Sequence, residues 1–301
     1  MAHEQWPALV YDEWKDTLAT LHMWTQIVGK VAVNYAPPEN HSWHVAMQVT
    51  PRGLATRTMY FEGRPFGFEF DFRSHELVLN AADDRSATLD LEPMTVADFY
   101  DLFMRMCGDA GYPVRIRPIA DELPQPIAFE ADTVHASYDA PAVERFHRVL
   151  SQVDRVFRTF RAAFVGKSSP SHFFWGAFDL AVTRFDGRPA PPREDPYRFM
   201  REAYSHAVIS HGFWPGNDHQ YPDAALYAYA APEPPGFKDA RVLPESASYN
   251  PLGEFLLPYA AVRAAADPDR AILDFMRSTY EAAADRAGWD RPALELPGGK
   301  P

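Results

Sequence analysis

Phe66-Gly67-Phe68-Glu69-Phe70-Asp71-Phe72-Arg73 places a phenylalanine at every second position, with small or charged residues between. Side chains of a β-strand alternate between its two faces, so this stretch reads as a strand with one face buried and one in water. Just upstream, Trp43-His44-Val45-Ala46-Met47-Gln48-Val49-Thr50 has the same two-residue period, with Trp43, Val45, Met47 and Val49 on one side. Glu62-Gly63 and Asp83-Asp84 stand between such runs, where hairpin turns belong. The region from Lys30 to Leu91 therefore predicts an antiparallel meander of about five strands.

Helical periods flank it. Trp14, Leu18, Leu21, Thr25 and Val28 predict a first helix from Tyr11 to Val28, closed by Gly29, with His22, Gln26 and Lys30 as a polar line at steps of four. Thr95 and Asp98 form a variant capping box ahead of Val96, Phe99, Phe103 and Cys107. Pro141 to Val165 carries a broad apolar stripe with arginines opposite, and Asp267-Pro268 opens a last helix. The run from Ser169 to Leu180 is apolar nearly all round. Its early proline and a closing Gly187 favour a buried helix of about four turns, with His172, Trp175 and Asp179 on one face. The fold class is α+β: an antiparallel meander packed with helices, then a mixed helical and strand C-terminal part. The chain reads as one unit over 1–301, with a sub-boundary near 118–126. That divides a β-rich 1–117 from an aromatic- and histidine-rich 127–296, and 297–301 reads as a frayed tail.

Composition narrows the setting. A formal charge of −12 argues against nucleic acid or an anionic membrane as partner, since basic patches supply most of that affinity. No apolar run approaches the length of a membrane span, and no secretory leader is visible. The single cysteine, Cys107, reads as a buried hydrophobe and points to a reducing, cytoplasmic location. The oligomeric state is not legible.

Histidine is the natural place to look for chemistry, as metal ligand or as base near neutral pH. Of eleven, His3 reads as tail, and His75, His147 and His219 fall in polar, surface-like settings. His22, His41, His44, His135, His172, His206 and His211 remain. His41 and His44 form an H-x-x-H pair at a turn-to-strand junction. His172 and Asp179 lie in the apolar run, where either a core-locking hydrogen bond or an acid–base pair would satisfy them. Glu202 and His206 would share a face if helical, and Trp214-Pro215-Gly216 then turns beside them. His172, His206 and Glu202, with Asp179 as alternative carboxylate, would suit non-haem iron or zinc. The nucleotide-binding glycine patterns and the G-x-S-x-G elbow are missing, so no nucleotide cofactor is expected.

Several of these stretches together resemble a known family: Tyr11-Asp12-Glu13-Trp14-Lys15-Asp16-Thr17, Leu21 to Lys30, His172-Phe173-Phe174-Trp175-Gly176, Phe178 to Phe185, Glu202-Ala203-Tyr204-Ser205-His206, Gly212-Phe213-Trp214-Pro215-Gly216 and Glu254 to Tyr259. Their pattern is similar to domain-of-unknown-function family 5996 (DUF5996) of uncharacterised bacterial proteins, over almost the whole chain. The resemblance implies one family-length unit. It also implies that His22, Trp24, Gln26, Lys30, His44, His172, Trp175, Asp179, Arg184, Glu202, His206, Trp214 and Glu254 belong to the family's motifs.

Three functional expectations follow. The first is an enzyme acting on a small organic molecule, with His172, Asp179, His206 and Glu202 as catalytic groups. Trp24, Trp175, Trp214, His22, Gln26, His44 and Arg184 would contact the substrate, and iron or zinc would be held by His172, His206 and Glu202. The second is a non-catalytic binder or sensor using the same aromatic pocket. The third is a structural or partner-binding protein whose buried histidines satisfy one another.

Overall fold

The phenylalanine strand is where the expectation and the computed structural model agree most closely. The structure describes residues 5–82, 85–192, 194, 198–218 and 221–296. In it Arg64–Asp71 forms β4, the longest strand of the N-terminal sheet. Its neighbours are β1 (Gln48–Val49), β2 (Gly53–Ala55), β3 (Met59–Phe61), β5 (Glu76–Ala81) and β6 (Ala87–Asp90), in the order β1-β2-β4-β5-β6 with β3 also on β4. All pairings are antiparallel. Glu62 and Gly63 take positive φ between β3 and β4, the tight hairpin turn their sequence predicts. Asp83-Asp84 lies outside the described residues.

Phe66, Phe68 and Phe70 point to one side, joined by Leu77 and Leu79 of β5, and all are buried. The helix Val96–Asp109 (α2) covers them, its Phe103 against Phe68 and its Phe99 stacked on Trp24 at 4.7 Å. Thr95 accepts the Asp98 backbone N–H at 3.0 Å, so the predicted cap forms. Cys107 is fully buried, and burial pushes its thiol up to about 12. Trp24 belongs to Lys15–Tyr35 (α1), which runs on past Gly29 rather than ending there. Gly29 has another purpose: a Cβ there would lie 2.3 Å from the indole of Trp175. Gly29→Ala is therefore expected to displace Trp175 and cost about 1–3 kcal/mol, read as a lower urea midpoint.

The C-terminal sheet departs most from expectation. The run from Ser169 is no helix; it is a hairpin of β7 (His172–Phe174) and β8 (Asp179–Pro189), turning through Trp175–Phe178 with Phe178 at φ 59. The segment is apolar all round because both faces of these strands are covered. Continuing, β9 (His206–Trp214), β10 (Ala225–Ala231), β11 (Ser248–Asn250) and β12 (Glu254–Pro258) complete the order β11-β12-β10-β9-β8-β7. Residues 43–47 likewise do not extend as the alternating strand their sequence suggests. Asn40–Val45 is a short helical turn with His41 and Ser42 both at φ 58. Met47 then exchanges two backbone hydrogen bonds of 2.8 Å with Phe173, which joins the two sheets.

One face of the C-terminal sheet is packed by Ala140–Ala162 (α3), capped by Asp139, and Pro268–Arg286 (α6), capped as expected by Asp267. The other face lies partly under the Asn40–Val45 turn and the short helix Arg198–Ala203 (α4). The helices Tyr259–Ala264 (α5) and Arg291–Leu294 (α7) finish the chain, and the 297–301 tail lies outside the described residues. Among the described residues no helix is long and apolar enough to cross a membrane.

Candidate functional site

Strand register assigns each candidate to a face. Residues paired directly across antiparallel strands share a side of the sheet. His172 is opposite Ala181, Ala181 opposite Gly212, and Gly212 opposite Tyr227. Asp179 is opposite Phe174, two residues from His172. His172 and Asp179 thus share a face as the helix would have had them, but through a hairpin. On the same face the next row carries Thr183, Ser210 and Tyr229, with Thr183 and Ser210 hydroxyls 2.9 Å apart.

The chemistry concentrates at Asp179. Tyr227 donates its O–H to Asp179 Oδ2 in a short hydrogen bond. To reach that carboxylate the Tyr227 ring lies flat across β9, and only Gly212 permits it: a Cβ there would fall 2.1 Å from the ring. Asp179 is 8% exposed, and burial raises its pKa to about 6 against the downward pull of the Tyr227 hydrogen bond. Glu254, on β12, is also raised, first by burial and further by the Asp179 charge. Tyr227 stacks on Tyr229 at 6.0 Å, and Tyr204 donates to the Tyr229 hydroxyl at 3.1 Å. Burial holds both Tyr227 and Tyr229 well above the ordinary phenol value. The result is a row of neutral phenols ending on a carboxyl that titrates near neutrality. In Tyr227→Phe the downward pull is lost, so Asp179 is expected to titrate about one pH unit higher, measurable by carbon NMR of the carboxyl.

His172 is 1% exposed; burial drives its pKa down to about 3, and its Nδ1 has no hydrogen-bond partner. It packs edge-on against Phe174 and Trp43. A neutral imidazole with an unmet nitrogen is a hydrogen-bonding group, not a base at neutral pH.

Most other candidates are structural. His22 Nε2–H donates to the Gly176 carbonyl at 3.0 Å, and Gln26 donates to the same oxygen at 3.3 Å. Lys30 bonds Asp121 and lies 5.6 Å from the Trp175 ring centroid, while the Trp175 indole N–H donates to Val45. The polar line on α1 is therefore a clamp on the β7–β8 turn. Trp24 is core, so Trp24, Trp175 and Trp214 do not wall one pocket. Arg184 points to the helix-covered face, opposite the one that carries Asp179, stacked on Phe160 at 3.5 Å and bonded to its carbonyl. His44 only accepts the Glu39 backbone N–H through Nδ1. His211 donates to Thr279 inside the core, His135 pairs with Asp132, and His147 is buried against the Thr50 carbonyl rather than at the surface. His3 and His219 lie outside the described residues.

The proposed metal set is not assembled. Glu202 lies in the last turn of α4 and His206 begins β9, so they do not share a helical face. Among the described residues no three His, Cys, Asp or Glu side chains converge as ligands. Cavities of about 620 Å³, between β6 and α2, and about 350 Å³, beside Pro189 and Trp289, lie away from Asp179. The residues that sequence reading missed are Tyr204, Tyr227 and Tyr229. The alternation in Leu226-Tyr227-Ala228-Tyr229-Ala230 was the available signal, since it sets two phenols on one face.

A family model described as a family of unknown function (DUF5996) matches residues 6–296, and the chain belongs to that family. No curated protein and no solved structure matches it.

Proposed function

We propose that this member of the family is an enzyme that moves a proton on a small organic molecule lying against the C-terminal sheet, with Asp179 as the titrating group. The observation that carries the reading is the Asp179 carboxyl itself, buried, near pKa 6 and held by Tyr227. A group with that value offers both protonation states at neutral pH, which general acid–base catalysis requires. Half-buried Tyr227, Tyr229 and Trp214 supply aromatic surface for the ligand, and His172 Nδ1 supplies a hydrogen bond. Glu254 beside Asp179 keeps the second proton site close.

The test begins with a thermal-shift screen of small metabolites at neutral pH. A stabilising compound is then incubated in D₂O with the protein and analysed by mass spectrometry. The expected result is deuterium incorporation with wild type and none with Asp179→Asn, although that variant still binds. A compound that binds and is recovered unlabelled from wild type would favour the second reading, a non-catalytic binder, which the neutral and unpartnered His172 also suits.

A further inference from the structure

At the far end of the same sheet face is a different kind of cluster. Lys167 Nζ donates to His41 Nε2 at 2.6 Å and lies 4.9 Å from the Phe185 ring centroid and 5.6 Å from that of Trp43. His41 is fixed for this: its Nδ1–H donates to the Glu202 carbonyl at 2.9 Å, which turns the Nε2 lone pair toward the ammonium. The His206 ring stands edge-on to His41 at 6.1 Å, with Nδ1 3.0 Å from Ser205 Oγ.

Among the described residues Lys167 has no carboxylate within ion-pair distance; its contacts are an uncharged imidazole and two aromatic rings. That contrasts with Lys30 and Lys15, which meet Asp121 and Asp12. Among the described residues exposed Lys238 also lacks an ion pair, but of the two Lys167 is the one that an imidazole and two aromatic rings hold in place. The backbone is strained to build this corner. His41 and Ser42 are consecutive non-glycine residues at φ 58, a conformation that persists only where surrounding contacts enforce it. Behind Trp43 sits His172, 1% exposed with Nδ1 unpartnered.

We propose that Lys167, positioned by His41, binds with His206 a small oxyanion, a carboxylate or a phosphate, over the Trp43 and Phe185 rings. The ammonium supplies the charge, His206 a second donor, and the rings exclude water from one side, which strengthens charge-assisted hydrogen bonds. The site stands apart from Asp179 and does not depend on its role.

The experiment is titration of the full chain with inorganic phosphate and, separately, acetate, at fixed ionic strength, following the Trp43 indole N–H and Ser205 and His206 amides by NMR. Saturable shifts with a Kd of about 1 mM or tighter are expected for at least one of the two anions, and the preferred anion identifies the ligand class. Lys167→Gln, at an exposed position, is expected to keep the fold by circular dichroism and to weaken binding about tenfold or more. His206→Gln is expected to weaken it several-fold, and Asp179→Asn to leave it unchanged. No saturation by either anion up to about 50 mM, or equal binding by folded Lys167→Gln, would overturn the proposal.

Discussion

Acidification from pH 6.5 to 4 is expected to unfold this protein cooperatively, with net uptake of about two protons per chain. His172 and His211 are held near pKa 3 and His22 near 4, in each case chiefly by burial. A histidine whose folded pKa is depressed contributes stability that is fully present above its ordinary value of 6.5. That stability is lost as pH falls toward the folded value, because the unfolded chain takes the proton first. Asp179 works in the opposite sense: raised to about 6, it is protonated in the folded state while still ionised in the unfolded one. Of the groups with the largest shifts, three histidines against one carboxyl leave about two protons of difference, or roughly 3 kcal/mol per pH unit. His41, His44 and His147, also depressed by burial, add to the uptake, and raised Glu254 subtracts from it. Over this interval that rivals the roughly 5–15 kcal/mol total stability of an ordinary domain. The slope of urea-derived stability against pH measures it. His172→Gln or His211→Gln should each remove about one proton from the uptake, and an unchanged slope in both variants would contradict the assignment.

Asp179→Asn is expected to stabilise the protein at pH 8 while abolishing the proposed proton transfer. Keeping a charged carboxylate in this buried position above pH 6 costs on the order of 3 kcal/mol relative to the unfolded chain. Asparagine keeps an oxygen to accept the Tyr227 O–H and carries no charge. The gain should be largest at pH 8 and shrink as pH falls below 6 toward the unfolded value of about 3.9, as the folded-state carboxyl takes its proton. Urea midpoints of the two proteins at pH 8 and at successively lower pH, down to the acid transition, check this directly. A group that lowers stability where it is ionised fits the trade-off between stability and activity on which the proposed role rests.

The legible part of this protein was what periodicity controls. Phe66 to Phe72 announced a strand because one of its faces meets water, and Thr95 and Asp267 announced helix starts through capping chemistry. The hairpin of His172 to Pro189 was illegible for the converse reason. With Phe173, Leu180 and Val182 buried under helices and Asp179, Ala181 and Phe185 under the other cover, neither period survives in the sequence. The candidate site was half legible. Asp179 and His172 were visible as polar residues in apolar surroundings, whereas Tyr227 reaches Asp179 only through the register of β8, β9 and β10 and the bare Gly212 between them. The motif residues His22, Gln26 and Trp175 were visible too, yet their shared role as a turn clamp needed the meeting of α1 with a hairpin some 150 residues away in sequence.

The central claim is that Asp179 is a buried carboxyl poised near neutrality by its surroundings. Difference infrared titration of wild type against Asp179→Asn isolates the carboxyl band of that one residue. The account predicts a protonated band whose intensity is halved near pH 6 and whose midpoint moves upward in Tyr227→Phe. A midpoint near 4, unmoved by Tyr227→Phe, would contradict it.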